Sequence, residues 1–176
     1  MNQIHSNVVQ VVTPNQTLYE CDAIVTNKKN TPLMVMVADC IPILFYDEMK
    51  QVIAVAHAGR VGTLQNIAKN TISSMQENFH CVTKDIKVTL GPSIQKCCYE
   101  VSQSIADDTA KQFGLKFVEN RNLDLQGINK KQLLEIGIKE ENIFIDTTCT
   151  KCSNKPYYSY RNDKGCGRFA GVIFLK

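Results

Sequence analysis

The sequence predicts an α+β fold in a single domain over residues 1–176. Three observations carry that prediction. Apolar, β-branched runs of strand length alternate with stretches whose apolar residues recur at three-to-four spacing. Pro and Gly fall singly at the joints between them, not in linker-like clusters. No period repeats and no segment is low in complexity, so neither a solenoid nor a tethered second unit is indicated.

The first run, Leu33 to Tyr46, is interrupted only by Asp39-Cys40 and Pro42, and Gln51 to Ala56 forms a second. Both read as buried strands. From Thr63 the residues Leu64, Ile67, Ala68, Ile72, Met75 and Phe79 line one helical face, with Thr63 as the expected N-cap. Ile86, Val88 and Leu90 alternate as a strand that ends at Gly91-Pro92. Ser102 is placed to cap a helix with the inner stripe Ile105, Ala106, Thr109, Ala110 and Phe113. A further helix ends at Gly137 after Leu133, Leu134 and Ile136. Strands are expected at Asn142 to Ile145, Tyr157 to Arg161 and Arg168 to Leu175, with helices covering the sheet faces.

Composition narrows the function. A chain of 176 residues with 44% hydrophobic content can bury one real core. Its formal charge of +3 and scattered Lys and Arg argue against a nucleic-acid partner, and stretches such as Lys28-Lys29 or Lys130-Lys131 read as solvated faces. No apolar run approaches the ~18 residues of a membrane span. The opening Met1-Asn2-Gln3-Ile4-His5 has neither a basic nor an apolar signal region, so a cytoplasmic protein is expected. In a reducing compartment the eight cysteines are thiols for packing, metal binding or catalysis.

Asp39-Cys40 is the informative break. A charged and a nucleophilic side chain at a buried strand end cost free energy unless partnered, which marks a functional point. His5 and His57 both lie beside turn-forming residues. Spacing alone leaves a second reading open, in which Cys40 is one more buried thiol and His57 a satisfied core imidazole. Cys149-Thr150-Lys151-Cys152 has CxxC spacing, a weak signal by itself. Together with Cys97-Cys98 it offers the makings of a second metal site.

Five ordered motifs carry a resemblance. They are Gln3-Ile4-His5, Asp22-Ala23-Ile24-Val25-Thr26, Ala38-Asp39-Cys40-Ile41-Pro42, Ala56-His57-Ala58-Gly59, and Gly91-Pro92-Ser93-Ile94 followed by Cys97-Cys98-Tyr99-Glu100-Val101. The tail agrees, with Cys149-Thr150, Ser159-Tyr160-Arg161 and Gly167-Arg168. In this order, from Gln3 to Phe174, the chain resembles the family once called multicopper polyphenol oxidases or laccase-domain proteins.

That resemblance implies a four-layer α/β/β/α sandwich with two mixed sheets, and a metal on His5, Cys40 and His57. Two imidazoles and one thiolate suit zinc and leave a fourth position open; copper is the alternative by ligand type. Three histidines in all cannot supply a multicopper cluster, so oxidase activity ranks second. The implied activity is phosphorolysis of adenosine, inosine, guanosine or methylthioadenosine, with adenosine deamination beside it. Asp39, Cys40 and His57 are then the expected catalytic set, with Asp39 as proton carrier. Arg168, helped by Arg161 and Arg60, is the expected phosphate clamp. The expected partners are a nucleoside and phosphate, with homo-oligomerisation open.

Two departures from the family pattern stand out. The arginine after His-Ala-Gly is one place early, at Arg60, and one step can turn a side chain away from a site. The N-terminal stretch usual in the family is not in this sequence. A cysteine–histidine hydrolase built on Cys40 and His57, peptidoglycan precursor editing, and a non-catalytic relative are the competing readings. In the family the positions of Cys97, Cys98, Cys149 and Cys152 are pocket lining and core, which sets the expectation for them here.

Overall fold

The computed structural model describes residues 1–13 and 16–176. Its strands are β1 (Val9–Val11), β2 (Ala23–Thr26), β3 (Leu33–Val37), β4 (Ile41–Asp47), β5 (Val52–Ala58), β6 (Ile86–Leu90), β7 (Val118–Glu119), β8 (Asn122–Leu123), β9 (Ile143–Ile145) and β10 (Phe169–Ile173). The α-helices are α1 (Arg60–Leu64), α2 (Ile67–Phe79), α3 (Gln103–Phe113) and α4 (Leu125–Glu135). A six-stranded sheet runs β1-β2-β5-β4-β6-β9, parallel at its two outer pairings and antiparallel between them. β3 and β10 form a separate antiparallel pair, and β7 and β8 a short hairpin.

β5 explains the layering. All seven of its residues are buried, as a strand covered on both faces requires. Val52, Ala54, Ala56 and Ala58 join the core under the helices with Ile67, Ile72 and Met75 of α2, while Ile53 and Val55 join Leu33, Val35 and Val37 of β3. The period of two thus sorts successive side chains between two cores. His57 shares the parity of Ile53 and Val55, which puts it on the face toward β3 and β10.

The mixed-sheet α+β fold of the sequence reading is present. Three of the four anticipated layers are visible: helices, the six-stranded sheet, and the β3–β10 pair. Among the described residues no helix covers the outer face of that pair, where Met34, Met36 and Val172 are exposed.

Several local expectations are corrected. Leu33 to Tyr46 is two strands in two different sheets, and Asp39-Cys40 is the corner between them. Thr63 caps nothing; it is buried within α1, where its hydroxyl accepts from Asn129 and its carbonyl from Gln132. The helix it was expected to open begins at Ile67, after Asn66 adopts φ 64°. Tyr157 to Arg161 is not a strand: the Ser159 carbonyl accepts from Asn162 and Asp163 in a turn, and the Arg161 N–H donates to Asp39. The other expected elements form, including the Ser102 cap, whose hydroxyl accepts from the Ile105 N–H, and the helix stop at Gly137 with φ 98°.

Candidate functional site

Sheet register brings the candidate residues together. Ala23 pairs with Ala56, so one step along the two antiparallel strands Asp22 lies opposite His57, whose N–H donates to the Asp22 carbonyl at 2.7 Å. On the other side Pro42 pairs with His57 and Ile41 with Ala58, which carries Cys40 to Gly59. The nearest donor atoms of His5, Cys40 and His57 all lie within 4.8 Å of one another, and the two imidazoles meet edge to face at 4.7 Å.

Asp22 organises this group from behind. The carboxylate is fully buried and takes the His57 Nδ1–H at 2.8 Å, which turns His57 Nε2 toward Cys40 and His5. Its oxygens also accept from the N–H groups of Ile4, His5 and Ser6 and from the Ser6 hydroxyl. Those bonds fold the Ile4–Ser6 segment over the sheet and hold His5 at φ 57°, a conformation that costs a non-glycine residue free energy.

Burial works against the charged form of all three inner groups, and their partners outweigh it. Asp22 is held down at about 2 by His57 and Ser6. His57 is raised to about 9 by Asp22 and Cys40. The Cys40 thiol is lowered to about 7 by His5 and His57. Metal-free protein at neutral pH therefore has a protonated His57 beside a Cys40 that is about half ionised.

Gly59 shows that the trio needs room. A Cβ at that position would come within 3.0 Å of Cys40 Sγ, 3.5 Å of His5 Cδ2 and 3.8 Å of His57 Cε1. Two imidazoles and a thiolate around a space kept clear of side chains fit a zinc ion with an open fourth position. The carboxylate behind His57 is the orienting partner that such sites use.

The trio lines a cavity of about 810 Å³, within the range of small-molecule sites. Arg60, Arg161 and Arg168 line it as well, together with Tyr99 and Tyr160. Arg60 is thus at the pocket despite its one-place shift, because α1 starts directly from the end of β5. Arg161 lies 5.2 Å over the Tyr99 ring and donates to the Glu100 carbonyl, and Arg168 lies 5.7 Å over Tyr160. Asp39 lines the pocket too, but at φ 85° and with both oxygens engaged. Oδ1 accepts from the Thr150 hydroxyl at 2.7 Å and Oδ2 from the Arg161 N–H at 2.7 Å. Its geometry is that of a clasp on the C-terminal segment, which departs from the expected free proton carrier.

Sequence reasoning quoted Asp22 only as part of a motif and gave it no role. The available signal was a carboxylate opening the apolar run Ala23-Ile24-Val25, the same kind of break that exposed Asp39. Cys97, Cys98, Cys149 and Cys152 come together elsewhere, outside the lining of this cavity; Cys149 is buried as the core expectation has it, whereas the exposure of Cys97 and Cys152 and the distance from the cavity correct the rest.

Comparison with known proteins identifies relatives of the whole chain. The chain is 33% identical over 193 residues to the purine nucleoside phosphorylase YlmD of Bacillus subtilis, covering 99% of this chain and 69% of that protein. It is 35% identical over 179 residues to the purine nucleoside phosphorylase Cj1217c of Campylobacter jejuni, covering 100% and 76%. Among solved structures, the hypothetical protein YfiH of Bacillus licheniformis superposes with a TM-score of 0.91 at 28% identity, over 99% of this chain and 73% of that one. YlmD of Geobacillus stearothermophilus superposes with a TM-score of 0.85 at 27% identity, over 99% and 72%. The profile of the family described as multi-copper polyphenol oxidoreductase laccase matches residues 1–176, and the chain belongs to that family.

Proposed function

We propose that this chain is a zinc-dependent purine nucleoside phosphorylase acting on adenosine, inosine, guanosine or methylthioadenosine. The observation that carries the reading is one cavity with His5, Cys40 and His57 in its wall and Arg60, Arg161 and Arg168 also facing it. Relatives bearing the name purine nucleoside phosphorylase support it.

In phosphorolysis a phosphate oxygen bonds to the ribose C1′, the bond from C1′ to the purine nitrogen breaks, and its electron pair leaves with the base. The protein has to hold a multiply charged anion against that carbon. Arginines suit this, because their planar forks bind phosphate oxygens in pairs. Tyr99 packs under Arg161, and the exposed faces of Tyr160 and Met36 offer apolar surface to a purine. His5, Cys40 and His57 would hold zinc, which when bound supplies Lewis acidity to draw electron density from an oxygen or nitrogen of the substrate.

Adenosine deamination is the secondary reaction in this reading. It needs a carboxylate free to shuttle protons. Among the described residues lining the cavity Asp39 is the only carboxylate, and both its oxygens are bonded. Copper stays the alternative occupant. The third histidine, His80, is exposed at the C-terminal cap of α2 and outside the trio.

The low-lying Cys40 thiol favours a second reading, a cysteine–histidine hydrolase with Cys40 as nucleophile. Free base released from inosine only when phosphate is present, with Cys40 shielded from iodoacetamide by zinc, is expected for the phosphorylase. Phosphate-independent hydrolysis with Cys40 alkylated at the same rate in zinc-loaded protein would select the hydrolase.

Two expected results follow from the geometry. Arg60→Ala and Arg161→Ala should each raise KM for phosphate by roughly tenfold to a hundredfold, the scale of one charge-assisted contact, with a smaller change in KM for the nucleoside. Steady-state kinetics with phosphate and inosine varied separately checks this. Zinc affinity should climb with pH, because bound zinc displaces protons. Between about 7 and about 9 one proton leaves His57, giving about a tenfold gain per pH unit. Below about 7 Cys40 adds a second proton and the dependence steepens, while above about 9 it flattens. Competition titrations with a chelator of known pH dependence measure the slope.

A further inference from the structure

A second cluster lies away from the cavity. The Sγ atoms of Cys97, Cys98, Cys149 and Cys152 all fall within 4.8 Å of one another, with Cys97 at 3.8 Å from Cys98 and 3.6 Å from Cys152. Four sulfurs tetrahedral about zinc at a Zn–S distance of ~2.3 Å stand about 3.8 Å apart along each edge. The four thiols are therefore close to the spacing that a bound ion imposes.

Two turns hold the four cysteines. Cys149 and Cys152 flank a tight turn in which the Ser153 N–H donates to the Cys149 carbonyl. Cys97 and Cys98 sit in the turn that follows β6, where the Cys98 and Tyr99 N–H groups donate to the Gln95 carbonyl.

We infer that Cys97, Cys98, Cys149 and Cys152 form a tetrathiolate zinc site, distinct from the His5–Cys40–His57 set and structural in kind. Four protein sulfurs close the coordination sphere and leave no position for substrate. Its task follows from what it joins. The connection from Asp146 to Arg168 contains neither helix nor strand, and so long an irregular segment inside a compact domain needs tethers. It carries Tyr160, Arg161 and Arg168 to the cavity. Asp39 clasps it at Thr150 and Arg161, and a bridge joins Cys149 to Ser93. A zinc ion would rivet the same segment to the turn that bears Tyr99. The inference does not depend on the phosphorylase reading.

The test loads reduced full-length protein with zinc chloride, desalts it and measures bound zinc by elemental mass spectrometry. The unmodified chain should retain about two equivalents, His57→Ala about one, and Cys152→Ser about one. Cobalt in place of zinc should give His57→Ala a thiolate-to-metal charge-transfer band several times more intense per bound ion than that of Cys152→Ser, whose remaining site offers the single thiolate of Cys40. Should Cys152→Ser fold poorly, alkylation of the unmodified chain supplies the answer. Peptide mapping after iodoacetamide should show Cys97, Cys98, Cys149 and Cys152 protected by zinc and labelled once it is chelated. A His57→Ala protein that holds no zinc, or four cysteines equally reactive with and without zinc, would overturn the inference.

Discussion

Asp22→Ala should lower stability by about 3–5 kcal/mol, the usual result of removing one member of a buried, hydrogen-bonded charge pair. For a chain of this size that is a drop in Tm of roughly 6–20 °C. The loss has two parts. His57 keeps its place in the sheet but loses the partner of its Nδ1–H, and the Ile4–Ser6 segment loses the acceptor for three N–H groups and one hydroxyl. Asp22→Asn keeps the shape and should recover much of the Tm, yet still weaken zinc binding by roughly 10–100-fold, as loss of an orienting carboxylate does.

A purely structural role would not move the pH dependence, and this variant should. Without the negative charge His57 is no longer held at about 9, so the pH at which zinc affinity levels off should fall. The carboxylate's own contribution follows a separate window. With a folded value of about 2 against ~3.9 in an unfolded chain, it is fully present above about pH 4 and fades as pH drops toward 2. Calorimetry with and without chelator, paired with zinc titrations, checks all three. An Asp22→Ala protein melting within about 2 °C of the parent would mean that the N-terminal segment is held by something else.

The second large effect is expected at His57→Ala. Phosphate-dependent release of free base should fall by more than the ~10–100-fold that an outer partner commands, because His57 itself is in the donor set. The zinc held by the trio should be lost with it. Far-UV circular dichroism should keep the signature of the sheet, while the Tm falls because the buried Asp22 carboxylate loses the imidazole paired with it. Turnover within a factor of three of the parent would remove the trio from the reaction and move attention to the arginine wall.

Why parts of this were legible in the sequence is a matter of which signals are local. Asp39-Cys40 announced itself because polarity in the middle of an apolar run is costly, and local spacing measures that cost directly. The amphipathic stripes of α2 and α3, the Ile86–Leu90 strand and the Ser102 cap were visible for the same reason. Periodicity does not say which sheet a strand joins, so the division of Leu33 to Tyr46 between two sheets was hidden. Thr63 looked like a cap because its partners, Asn129 and Gln132, lie more than sixty residues away. Tyr157 to Arg161 read as a strand on composition, whereas the Arg161 N–H is committed to a carboxylate far up the chain. Asp22 went without a role because its importance lies entirely in cross-strand register with His57.

The clasp of Asp39 on the Arg161 N–H closes a loop of 122 residues, and its bond to Thr150 one of 111. Contacts so far apart in sequence are the slow ones to form. The donor atoms of His5, Cys40 and His57, by contrast, all come from the first third of the chain and are aligned by pairings among neighbouring strands. A refolding molecule would thus possess its metal-binding corner before it possesses its anion-binding wall, and zinc captured early would be waiting when Arg161 and Arg168 arrive.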